Sequence, residues 1–162
     1  MAISFLALFC CCPILLAIIL PAFSREMTTA KVDGCMLNQK SLVQGLLMYA
    51  EEHDDTLPAT GSWEDLTDHY AMVNKDYHCP ELADGTPGGG YAMLQSLSSK
   101  TVGSVPNPKG QVAVFETTVF HRNATDEMTS LPVPGRHKIK YSGNVFGYLD
   151  GHADYIRDGS KP

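Results

Sequence analysis

Twenty-four residues pass before the first charged side chain, Arg25. From Ala2 to Phe23 only Ser4, Pro13 and Pro21 lie outside the apolar set, a run of 22 residues. That is long enough to cross a hydrocarbon core of about 30 Å. The chain therefore divides into residues 1-24, a transmembrane or export segment, residues 25-58, an amphipathic stem helix, and residues 59-162, a small α+β head. Retention as an anchor competes with cleavage after the small residues of Ala22-Phe23-Ser24. Cys10, Cys11 and Cys12 lie inside the run, where Leu8-Phe9-Cys10 makes a poor lipidation site because Phe9 is bulky. They read as small apolar side chains.

All 12 basic and 18 acidic side chains lie at or beyond Arg25, for a net charge of -6. An acidic head without a basic run argues against nucleic acid as a partner. Arg25 and Lys31 stand beside Glu26 and Asp33, so charge alone gives no membrane orientation. A length of 162 residues excludes a multi-pass transporter and a large multidomain enzyme.

From Ile14 to about His53 no turn cluster interrupts a helical pattern with apolar residues at Met27, Ala30, Leu37, Val43, Leu46, Leu47 and Ala50. Pro21 should kink this helix, and His53-Asp54-Asp55-Thr56-Leu57-Pro58 should end it. Ser62, with an acid three residues on, predicts a second helix to about Met72, with Trp63, Leu66 and Tyr70 on one face. Glu81 to Gly90 reads as a loop whose Gly88-Gly89-Gly90 is a flexible turn. Strands are predicted at Tyr91 to Leu97 and Gln111 to Thr117, a long surface loop from His121 to Gly143, and a hairpin from Asn144 to Arg157 about a two-residue Asp150-Gly151 turn.

Several stretches resemble type IV pilin-like proteins and type II secretion pseudopilins. Leu16-Ala17-Ile18-Ile19-Leu20-Pro21-Ala22-Phe23-Ser24-Arg25-Glu26 is similar to their membrane helix. Cys35-Met36-Leu37-Asn38-Gln39-Lys40 and Met48-Tyr49-Ala50 are similar to the stem that follows. Asp54-Asp55-Thr56-Leu57-Pro58, Trp63, Leu66, Tyr70, Tyr77-His78-Cys79-Pro80 and Tyr91-Ala92-Met93 continue the order. Arg136-His137 and Asp150-Gly151-His152 resemble the family's His-x9-Asp-Gly region associated with prepilin-type processing. No Gly-Phe-Thr-Leu-Ile-Glu type cleavage signal precedes the apolar run, and twelve residues rather than nine separate His137 from Asp150. The Asp150-Gly151 hairpin is what carries over.

The resemblance implies a pilin-like α+β fold in which a long, partly transmembrane N-terminal helix packs on a small antiparallel β-sheet. It implies a single-pass inner-membrane protein with its head in the periplasm or outside the cell. The role implied is a non-enzymatic structural or assembly component of a secretion or surface-filament system. Other pilin-like subunits or secretion machinery would be its partners. The alternative is an extracytoplasmic binding module that keeps the head and does not assemble.

In an exported head Cys35 and Cys79, the only cysteines beyond the apolar run, would be bridged, with two separate thiols as the other reading. No Cys-x-x-Cys, His-x-x-x-His, phosphate loop or nucleophile motif occurs, so no cofactor and no catalytic residue is expected. His137, Asp150 and His152 are the candidates for a metal or proton site should they converge, with structural hydrogen bonding the blander alternative. Asp150, Asp154 and Asp158 raise calcium, although alternate positions of a strand do not close a ligand loop. Pro21, Cys35, Cys79, Asp150 and Gly151 are the expected structural residues, Asp150 serving the turn. Glu51-Glu52 and Asp54-Asp55 read as solvated charge.

Overall fold

A computed structural model describes the chain from Ala2 to Tyr70 and over residues 77–162, with side chains from Glu26 onward. Its elements are α1 (Ala2–Glu52), α2 (Trp63–Thr67), β1 (Tyr91–Leu94), β2 (Val112–Glu116), β3 (Thr125–Asp126), β4 (His137–Lys138), β5 (Ser142–Tyr148) and β6 (Ala153–Arg157). The packing of residues 1-24, and with it any kink at Pro21 and any role of Cys10 to Cys12, lies outside the described side chains. So does the expected end of the second helix at Met72.

The strands form one six-stranded sheet in the order β3-β1-β2-β5-β4, with β6 also on β5. Gly143 pairs with both His137 and Arg157, and Gly147 lies beside both Val114 and Ala153. Since a strand has only two edges, β6 takes one edge of β5, and β2 and β4 share the other end to end. β1 and β2 are buried at every residue, as expected of short apolar strands covered on both faces.

Two findings overturn the expected pilin-like fold. The sheet is mixed, because β3 runs parallel to β1. Among the residues whose side chains are described, from Glu26 onward, no helix is long and apolar enough to cross a membrane. The parallel pair arises in the stretch read as a surface loop. Asn123 turns the chain at φ 57°, and the Ala124 carbonyl then accepts from both Met93 N (3.0 Å) and the Trp63 indole N–H (3.1 Å). Trp63 is fully buried, so its N–H requires such a partner.

α1 packs mainly on β5, and to a lesser, similar extent on β6 and α2. Its buried stripe is Val32, Cys35, Gln39, Leu42, Leu46 and Ala50, a three-and-four spacing that lies on one helix face. Met27, Ala30 and Leu37, counted as part of the apolar stripe from the sequence, are exposed. The true seam runs through Cys35 and Gln39, which a count of hydrophobic residues passes over. At Gly147 a Cβ would stand 3.0 Å from Val43 Cγ2 and 3.3 Å from Gln39 Cβ, so its absence lets β5 approach α1 closely.

α2 is shorter than predicted and its cap differs. Ser62 makes no side-chain cap; Asn123 Oδ1 instead accepts from Glu64 N at 2.8 Å and from Asp65 N at 3.3 Å. The hairpin also differs. Tyr148 N donates to the His152 carbonyl and Gly151 N to the Tyr148 carbonyl, which leaves a three-residue loop with Gly151 at φ 93° rather than a two-residue turn. Asp54-Asp55 is more than solvated charge: both residues adopt positive φ, and Asp55 Oδ2 accepts from Gly103 N at 2.9 Å.

Candidate functional site

Four chain segments bring one donor each to a point between α1 and the sheet. Cys35 lies on the buried stripe of α1, one turn before Gln39, whose Nε2 donates to the Val145 carbonyl at 2.7 Å. Cys79 is held by its N–H, which donates to the Gly89 carbonyl at 2.9 Å. A Cβ on Gly89 would fall 1.7 Å from the Tyr77 carbonyl, so a glycine is required there and the triple glycine is a fixed turn. Glu116 ends β2 and His137 begins β4. They meet because those two strands lie end to end against β5.

All four residues are buried, and their donor atoms lie within 4.8 Å of one another. Cys35 Sγ is 2.7 Å from Cys79 Sγ, and His137 Nε2 is 2.8 Å from Glu116 Oε1. Cys79 Sγ is 3.4 Å from Glu116 Oε1 and 3.9 Å from His137 Nε2. The expected bridge between Cys35 and Cys79 is met as a close contact of two unbonded sulfurs.

The surroundings are polar where a core is usually apolar. Tyr91 Oη donates to Cys35 Sγ at 3.2 Å and accepts from Asn38 Nδ2 at 3.1 Å. Glu116 Oε2 accepts from Val145 N at 2.9 Å. Arg136 Nη1 donates to the Gly90 carbonyl at 2.9 Å and stands 3.5 Å from Glu116 Oε1. Burial pushes the Cys35 thiol up, whereas the hydrogen bond from Cys35 draws Cys79 down. Burial disfavours the charged imidazole of His137, but its hydrogen bonds to Cys79 and Glu116 outweigh that and lift it to about 9.

His137 is thus separated from its expected companions. It pairs with Gly143 at one end of β5, whereas Asp150 lies seven residues further on, about 20 Å away at strand spacing. Asp150 Oδ1 accepts from His152 N at 3.2 Å and from the His152 ring, which stacks on Tyr148 at 4.3 Å. Asp150 and Gly151 therefore serve the turn. Asp154 faces His152 at 3.5 Å, and Asp158 accepts from Gly135 N at 2.9 Å, so these aspartates form no calcium shell with Asp150.

Glu116 is the residue that sequence reasoning missed. Its only signal is one acid closing the apolar run Val112-Ala113-Val114-Phe115.

A second feature is a cavity of about 460 Å³ lined in part by Glu64, Tyr77, His78, Asp84 and Arg122. Burial pushes the Glu64 carboxyl up to about 7, against the hydrogen bond from Asn123 and the charge of Arg122. His78 Nε2 is buried in this region with no hydrogen-bond partner among the described residues.

The likeness to type IV pilin-like proteins rests on the short sequence motifs alone. No family model, no curated protein and no solved structure matches the chain.

Proposed function

We propose that the protein is a non-enzymatic structural or assembly component whose folded head is carried on α1. One observation supports this: the helix whose C-terminal half is built into the sheet begins, within the same element, with residues that carry no charge as far as Arg25. An apolar helical face gains free energy only by leaving water, at roughly 25 cal/mol per Å². Like helices of other copies, or lipid, are the surfaces that accept it. The inner membrane as its site, and a secretion or surface-filament system as its setting, rest on the sequence features above.

The test is fractionation of the full chain, followed by intact mass, amino-terminal analysis and sedimentation in mild detergent. A chain of 17.6 kDa that sediments as an oligomer, and whose Ile18→Asp variant falls to the monomer, supports assembly through this helix. A monodisperse monomer in the aqueous fraction with residues 1-24 still attached counts against it.

The cavity beside Glu64 favours a second reading, a binding module that does not assemble. Its volume lies within the usual range of ligand sites, about 300–1,000 Å³, and Glu64, His78 and Arg122 give it polar anchors.

A further inference from the structure

We propose that Cys35, Cys79, Glu116 and His137 bind one zinc ion in a closed structural site that fastens α1 to the sheet. Two sulfurs, an imidazole nitrogen and a carboxylate oxygen are a donor set suited to zinc, whereas calcium and magnesium take oxygen. All four side chains are buried, which leaves no position open to water or substrate and marks the site as structural rather than catalytic.

The geometry requires little adjustment. Tetrahedral zinc at about 2.3 Å from each sulfur sets the sulfurs about 3.8 Å apart. From 2.7 Å, each sulfur moves outward by about half of the difference. Glu116 can ligate through Oε1 while Val145 N keeps Oε2 in place, and Tyr91 Oη already orients Cys35. His137 presents Nε2, so its proton in the bound state sits on Nδ1.

Charge also balances. Two thiolates, one carboxylate and a neutral imidazole around a dication leave one negative charge, and the Arg136 guanidinium stands 3.5 Å from Glu116 to neutralise it. A buried carboxylate and imidazole are costly ornaments for a plain disulfide but natural partners of a metal dithiolate. The donors span residues 35 to 137, so the ion would hold together α1, the loop at Cys79, β2 and β4.

The experiment uses the full chain, purified with a thiol reductant and without chelator. Elemental analysis should give about one zinc per chain. Replacement by cobalt should give the intense visible bands of a tetrahedral ion together with thiolate-to-cobalt charge-transfer bands. Stripping the zinc with a chelator should expose both thiols to alkylation and lower the Tm by on the order of 10 °C. Asp150→Asn and His152→Ala should keep the full zinc content, whereas Cys79→Ser should lose the charge-transfer intensity of one thiolate. Should Cys79→Ser fail to fold, the cobalt spectrum of the parent chain still decides. A metal-free chain with both thiols free overturns the proposal. So does a chain lighter by two hydrogen masses, in which an oxidant has closed the Cys35–Cys79 disulfide and excluded the ion.

Discussion

Glu64 shows how one buried carboxyl sets a pH response. The residue is 8% exposed, with Asn123 N donating to Oε2 at 3.0 Å. Burial raises its pKa from 4.5 to about 7, Asn123 and Arg122 oppose the rise, and Asp68 and Asp65 add to it. The folded state therefore holds this proton more tightly than the unfolded chain. Its contribution to stability is fully present below pH 4.5, falls as pH rises through about 7, and is lost above that. Glu64→Gln keeps an oxygen for Asn123 N but cannot ionise. Urea unfolding at pH 4.5 and pH 8 should show the parent losing up to about 3 kcal/mol relative to the variant over that interval. Parallel pH profiles for the two proteins would show that Glu64 does not titrate there.

Among the elements, α1 and β5 fit closely at Gly147. Gly147→Ala forces Val43 or Gln39 to give way, and Gln39 is fixed by its bond to the Val145 carbonyl. The expected loss is about 1–3 kcal/mol in urea unfolding, the usual range for overpacking. Gly61→Ala, which meets nothing within 4 Å, should be close to neutral; equal effects at the two positions would remove Gly147 from the seam. The sequence made the elements themselves legible: the stem helix, the strands at Tyr91 and Val112, and the final hairpin carry strong local patterns. The site was half legible. Cys35, Cys79 and His137 stand out by residue type, but what gathers them is not local. Glu116 meets His137 only because β2 and β4 share one edge of β5, and no spacing in the chain encodes that register. The same register sends Asp150 and His152 to the far end of β5. Asn123, which caps α2 from 59 residues away in sequence, is invisible to local capping rules for the same reason.

At the scale of the molecule, α1 changes character near residue 31. From Glu26 to Ala30 the helix is largely exposed, and from Val32 to Ala50 one face is sealed against the sheet and α2. Backbone amides open locally where burial is sparse and only with global unfolding where it is dense. In the isolated monomer, hydrogen exchange read by mass spectrometry should thus show a step in protection between residues 30 and 35, with Val43 and Leu46 among the slowest sites. Assembly through the charge-free segment would cover the exposed turns of the same helix. In the oligomeric or membrane-associated form the step should therefore move toward the amino terminus, and protection should rise across Glu26 to Ala30 while the values at Val43 and Leu46 stay fixed. A step that keeps its position in both forms would mean that association, where it occurs, uses another surface. The helix would then serve the head alone.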